Sequence, residues 1–263
     1  MLLDLYTSLT TPCSPFIRRM GYLNEAIEMR SRARRHQAAW QHHLDETRNF
    51  VLSVAETCRD RNRAVILGSG LLLDVPLAKL SSMFLQVVLM DVVCLPEVRK
   101  HIGQYNNVRF KELDVTGIAD ALFKSGEKGI SGLPEPRQGL STQIRDSSLV
   151  VSLNILSQLW VVPRAYVARR MRGLDEYAVD EWCGRIVTSH YAALTSLSCD
   201  VCLIADYGFV KRDRNGDVIS KGSTVYGLEL SVPAASWTWN IAPIDEDSRA
   251  YSKELIVGAW HIR

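Results

Sequence analysis

Three short apolar runs, AVIL (64–67), QVVLMDVV (86–93) and NVRFKELD (107–114), are separated by segments just long enough for helices. Spacing of this kind predicts parallel strands joined by crossover helices, because a tight turn cannot deliver a parallel partner. Asp74 to Phe84, with Pro76 tolerated in its first turn, Pro96 to Gln104 and Gly117 to Lys124 supply the intervening helices. The alternation resumes with SLVVSLNIL (148–156), helical segments over 156–171 and Glu176 to Leu197, and the strand DVCLIADYGFV (200–210). RDRNGDVI (212–219) follows as a turn. The pattern then changes. ASWTWNIAP (235–243) and KELIVGAWHIR (253–263) alternate as strands, yet only about ten residues join them. That is too short for a crossover helix, so the last strand is expected to run antiparallel. The fold class is therefore α/β: a doubly wound, mostly parallel sheet with an antiparallel last strand.

Residues 16 to 60 read differently, as polar helix without Pro or Gly between Tyr22 and Asp60. Ile27, Ala38, Trp40, Leu44, Phe50, Val51, Val54 and Ala55 mark a partial apolar face at helical spacing. The chain thus divides into an N-terminal helical extension (1–60), a candidate lid, and a sheet domain (61–263). Residues 125 to 146 hold Gly126, Gly129, Gly132, Pro134, Pro136 and Gly139 and read as a surface loop.

A formal charge of +2 over 263 residues gives no electrostatic case for nucleic acid. No uncharged apolar run reaches the ~20 residues of a membrane span, so no membrane association is expected. MLLDLYTSLTTPCSP lacks the basic start and apolar run of a signal peptide; with cysteines read as free thiols, the expected setting is cytoplasmic. Cys199 and Cys202 have CxxC spacing but no second ligand pair, and His36, His42 and His43 have no evident converging partners. No metal is expected. The basic stretch containing Arg30, Arg32, Arg34 and Arg35 has two readings. It is either a solvated helix face or a contact for an anionic group, which would suit an acidic small-molecule substrate.

In an open parallel sheet, ligands sit at the carboxyl ends of the strands. Gly68 and Gly70 end the first strand, Asp91 the second and Asp114 the third. Glycine lets backbone approach a ligand where a Cβ would clash. A carboxylate at the end of strand two is placed to accept from both ribose hydroxyls. One at the end of strand three can accept from an exocyclic adenine amine. In that order, the three point to a nucleoside.

On these residues, the region 63–263 resembles the class I S-adenosylmethionine-dependent methyltransferases. AVILGSG resembles the family's glycine loop, VVLMDVV its ribose-binding strand end, and VRFKELDVTG its adenine-side acidic residue. SSLVVSLNILSQL resembles the motif beside the reacting methyl group, VCLIADYGF the fifth strand, and WTWNIAP with ELIVGAWHI the closing reversed hairpin. The resemblance implies a seven-stranded sheet in order 3-2-1-4-5-7-6 and S-adenosylmethionine as cofactor. It implies cofactor contacts from Gly68, Ser69, Gly70, Asp91, Val92, Asp114, Val115, Ser152 and Asn154, and methyl transfer to a small-molecule acceptor.

Asn154 and Asp206 are the candidate catalytic residues, one to orient a nucleophile and one to accept its proton. Gln158 and Tyr207 are further polar residues near the same edge. His190, in mid-helix, reads as structural; Trp237 and Trp239 share a strand face and read as core.

Two departures stand out. The family's acid two places before the first glycine, which helps hold the cofactor's amino acid end, is Ile66 here, and a common third glycine is Leu72. A methyltransferase-like binding protein without catalysis is one alternative, favoured by Ile66. An NAD-type oxidoreductase is another; it would use Gly68, Gly70 and Asp91 but want glycine at the place of Leu73.

Overall fold

The computed structural model describes residues 2–129, 132–137, 144 and 146–263. Four helices, α1 (Leu2–Thr10), α2 (Pro15–Met20), α3 (Tyr22–Arg35) and α4 (Gln37–Thr57), precede the sheet. β1 (Arg63–Leu67), α5 (Leu77–Met83), β2 (Gln86–Asp91), α6 (Pro96–Ile102), β3 (Val108–Glu112) and α7 (Ala119–Lys128) follow as alternating units. Then come β4 (Leu149–Leu153), α8 (Val161–Arg170), α9 (Glu176–Thr195), β5 (Asp200–Asp213), β6 (Val218–Ser223), β7 (Ala235–Ala242) and β8 (Tyr251–Ile262).

The sheet order is β3-β2-β1-β4-β5-β8-β7, with β6 paired to β5 off that path. The β1–β2, β1–β4, β2–β3 and β4–β5 pairs are parallel, while β8 is antiparallel to both β5 and β7. Apart from β6, this is the expected order, renumbered by the additional strand. β6 corrects the expected count of seven. RDRNGDVI does turn, but β5 continues to Asp213 and Val218–Ser223 folds back on it as an exposed hairpin. All six residues of β6 are exposed, so its sequence carries no buried-strand signature.

Sheet alternation fixes the two faces. Ala64 and Ile66 of β1, with Val87 and Leu89 of β2, enter one apolar cluster; Val65, Leu67, Val88 and Met90 enter the other. Burial on both sides explains why these strands are continuous apolar runs. Helix α4 contributes Trp40, Leu44, Val51 and Val54 to the first cluster, so the N-terminal helices share a core with the sheet. The expected helix over 16–60 is broken at Gly21, whose φ is +109°, and again at His36. The expected loop over 125–146 is helical as far as Lys128, and 130–131, 138–143 and 145 lie outside the described residues.

Arg30 is buried and hydrogen-bonded to Asp4 (3.0 Å) and Glu97 (2.9 Å). Arg32, Arg35 and His36 converge on Glu246 in the β7–β8 connection, and Arg32 also reaches Asp247. The Arg35 guanidinium and His36 hold the Glu246 carboxyl down at a pKa of about 2. Three of the four arginines in the basic stretch thus meet carboxylates of this chain.

All six cysteines are free thiols. Cys202 is fully buried, and burial raises its thiol far above the usual range, a setting for packing and not for redox chemistry. No group of metal-ligating side chains is found among the described residues, and no described helix is long and apolar enough to cross a membrane.

Candidate functional site

The sheet order reverses between β1 and β4, and a crevice opens beyond the carboxyl ends of these strands. The glycine turn after β1 is tied down by backbone bonds from Gly68 (2.9 Å) and Ser69 (3.4 Å) to the Met90 carbonyl of β2. Gly68 and Gly70 have φ of +77° and +46°, and Leu72 has φ +61°. Leu72 therefore takes the left-handed conformation that a glycine at that place would adopt freely. This costs a leucine about 1–2 kcal/mol and leaves the shape of the turn intact without the third glycine.

Two adjoining cavities occupy the crevice. The smaller, about 220 Å³, has apolar walls from Val92, Leu113, Val115, Leu159 and Val162. The larger, about 470 Å³, extends over β4, β5 and β7, with Asp74, Asn154, Asp206, His43, Trp239 and Lys253 among its lining. Gly68, Gly70, Asp91, Ile155 and Gln158 line both, as do Glu25, Ala26 and Met29 of α3. An elongated ligand could thus run from an apolar slot past Asp91 into the larger chamber, under a helix of the N-terminal segment.

Asp91 Oδ2 accepts from the Gly70 N–H (2.8 Å) and Oδ1 from the Val92 N–H (2.7 Å). Burial raises its pKa, against the lowering effect of these backbone donors. The carboxylate is oriented at the junction of the cavities, where two vicinal hydroxyls can reach it. Asp114 lines the slot, but its carboxylate caps the following turn: Oδ1 accepts from the Thr116 N–H (2.9 Å) and hydroxyl, Oδ2 from the Ala119 N–H (2.8 Å). The expected adenine contact at this edge thus competes with helix-start hydrogen bonds, and Val115 beside it supplies apolar wall.

Asn154 leaves β4 with φ +52°, an uncommon conformation for a residue with a side chain. Its Nδ2 donates to Asp74 Oδ2 (2.8 Å), and its Oδ1 is buried without a partner. Asp206, 1% exposed, accepts from the Ser157 hydroxyl (2.5 Å) through Oδ1, while Oδ2 is also buried and unpartnered. Burial pushes its pKa up. Buried polar atoms ordinarily find partners, so these two oxygens, with the unpartnered indole Nε1 atoms of Trp160 and Trp239 on the same lining, leave hydrogen-bonding capacity unfilled in the chamber.

Two of the expected contact residues lie off both cavities. Ser69 and Ser152 line neither cavity. Ser69 is turned into the protein beneath the glycine turn, 1% exposed. Ser152 points inward from β4, where its Oγ lies 3.0 Å from His190 Nε2. Burial lowers the His190 pKa to about 4, so the unfolded chain, near 6.5, takes up a proton first. Stability associated with neutral His190 is therefore lost as pH falls from about 6.5 toward 4. From about pH 7 to about pH 5, wild-type protein should lose about 2 kcal/mol more stability than His190→Gln, read by denaturant unfolding. Parallel losses in the two proteins would show that His190 is protonated without cost.

The aromatic wall was not legible as a site. Trp237 and Trp239 are both 8% exposed, but Trp239 also lines the chamber. His43 of α4 stacks on Trp239 with centroids 3.9 Å apart and planes at 2°, and Trp40 meets Trp239 edge-on at 5.0 Å. Trp237 Nε1 donates to His43 Nδ1 (3.0 Å). An indole can only donate, so Nδ1 is the imidazole acceptor. Burial takes the His43 pKa down to about 3, making it a neutral wall and not a cation. Ile66, by contrast, is 1% exposed, lies in the core and lines neither cavity.

The parallel sheet closed by an antiparallel β8–β7 pair has, apart from β6, the strand order that the sequence resemblance to the class I S-adenosylmethionine-dependent methyltransferases implies. No family model matches the sequence, and no curated protein matches it. Among solved structures, the chain is similar to DhpI in complex with S-adenosylhomocysteine, at 14% identity and TM-score 0.37, over 88% of this chain and 93% of that one. It is similar to the N-methyltransferase NodS from Bradyrhizobium japonicum WM9, also in complex with S-adenosylhomocysteine, at 11% identity and TM-score 0.38, over 83% and 86%. A SAM-dependent methyltransferase from Leishmania major is similar at 13% identity and TM-score 0.35, over 97% and 81%.

Proposed function

We propose that this chain binds S-adenosylmethionine and transfers its methyl group to a small-molecule acceptor bearing an N–H or O–H. The observation that carries the reading is the pair of cavities meeting at Asp91, an apolar slot on one side and a chamber with unpartnered oxygens on the other. The slot suits an adenine ring, walled by Val92, Val115, Leu113 and Leu159. Asp91 would accept from the ribose hydroxyls, and Gly68 and Gly70 leave the backbone open to the ligand. Asp114 would contribute at the adenine edge.

When bound, the cofactor supplies a sulfonium whose methyl group is already electrophilic. The protein's share is then alignment, water exclusion and, for a weakly acidic acceptor, a base. Asn154 Oδ1 would orient the acceptor's N–H or O–H, and Asp206 Oδ2 would take up the proton released. A carboxyl raised by burial is a stronger base than one in water, and Ser157 holds it in one orientation. Helices α3 and α4, which supply Met29, Trp40 and His43 to the walls, would act as a lid over a domain spanning 61–263. The arginines of α3 engage internal carboxylates, so an acidic substrate has less support than a hydrogen-bond donor. A cytoplasmic setting accords with six free thiols.

Asp91→Ala should weaken S-adenosylhomocysteine binding by ~1–3 kcal/mol in calorimetric titration, the scale of hydrogen bonds to a charged acceptor. Equal affinity in a folded variant would remove Asp91 from the ribose role.

A further inference from the structure

The family's acidic residue before the glycine turn is replaced here by Ile66, which the core encloses. The chamber nevertheless holds a carboxylate on the same loop, six residues beyond Gly68. Asp74 lines the larger cavity with Gly68, Gly70 and Leu71, and does not line the nucleoside slot. Its hydrogen-bond donor is the Asn154 amide, a neutral group, at 2.8 Å. Of the cations near this lining, Lys253 lies over the Phe209 ring and toward Asp206, and two arginines are engaged elsewhere. Arg48 donates to the Leu73 carbonyl (2.7 and 2.9 Å) and to Asp45 (2.7 Å), and Arg32 to Glu246 and Asp247. Asp91 and Asp206 are differently placed: backbone N–H groups hold the first at the cavity junction, and Ser157 holds the second at the end of β5.

We infer that Asp74 is the counter-charge for the α-ammonium group of the cofactor's amino acid tail, taking over from the acid missing at Ile66. This rests on the proposed cofactor reading. If the nucleoside lies in the slot with its ribose at Asp91, the tail must pass the glycine turn into the larger cavity. A primary ammonium entering there meets Asp74 as a carboxylate that forms no ion pair among the described residues. Burial raises the Asp74 pKa, the condition under which a carboxylate gains most from an incoming cation. Asn154 then has a second task besides facing the acceptor: its amide fixes the orientation of Asp74.

The test compares S-adenosylhomocysteine with 5′-methylthioadenosine, which keeps the nucleoside and sulfur but lacks the amino acid tail. Calorimetric titration of Asp74→Asn should show S-adenosylhomocysteine affinity reduced about 10- to 100-fold, with methylthioadenosine affinity unchanged within about twofold. Asp74→Glu, which keeps the charge, should recover part of the loss. Removing a carboxylate cannot weaken binding of the tail's own carboxylate, so a selective loss isolates the ammonium. Retained methylthioadenosine binding also shows that the variant is folded. Unchanged binding of both ligands, or equal loss of both, would overturn the role of Asp74. Wild-type protein binding neither would overturn the cofactor reading and this inference with it.

Discussion

Gly68→Ala is expected to destabilise the protein by roughly 2–5 kcal/mol and to abolish nucleoside binding in whatever fraction folds. Two costs add. A φ of +77° is unfavourable for any residue with a Cβ. The added Cβ would also lie 2.0 Å from Ile155 Cγ2 and 2.9 Å from the Leu153 carbonyl oxygen, so the turn or the end of β4 must move. Gly68 and Ile155 line both cavities, and Leu153 lines the larger. Gly70→Ala is the matched control: its φ is +46°, but the nearest atom to its Cβ is the Gly68 carbonyl oxygen at 3.9 Å. It should cost only about 1–2 kcal/mol, the price of the conformation alone. Thermal unfolding of both variants measures the difference; equal losses would mean that packing against Ile155 adds nothing.

Ile66→Asp is expected to lower stability by about 3–5 kcal/mol and not to improve cofactor binding. By family pattern this substitution restores a missing residue. In this structure it places a carboxylate among Ala64, Leu89 and Val151 in the apolar core, at a position 1% exposed. For a chain of this size the melting temperature should fall by roughly 6–20 °C. An unchanged melting temperature would show that the side chain reaches the crevice, reopening Ile66 as a cofactor contact.

Much of the fold was legible because its strands are buried on two faces or alternate on one. AVIL, VVLM and SLVV could hardly be anything but central strands, and the short link between WTWNIAP and ELIVGAW forced an antiparallel closure. β6 was not legible because an exposed hairpin strand needs no apolar pattern. Of the expected site residues, Gly68, Gly70, Asp91, Val92, Asp114, Val115, Asn154 and Asp206 line the crevice. Ser69 and Ser152 do not, and strand period explains the latter: consecutive side chains point to opposite faces, and Ser152 turns toward His190. Asp74 carried a weak signal, an acid just after a glycine turn. His43 and Trp239 carried none, since their meeting depends on how α4 crosses β7, which local sequence does not encode.

We propose the crevice beyond β1 and β4 as a seat for S-adenosylmethionine and not for a dinucleotide. Titration of the wild-type chain with S-adenosylmethionine, S-adenosylhomocysteine and NAD in the calorimeter tests it most directly. The first two should bind with saturable heats while NAD gives none. Binding of NAD in preference to either, or of none of the three, would contradict it.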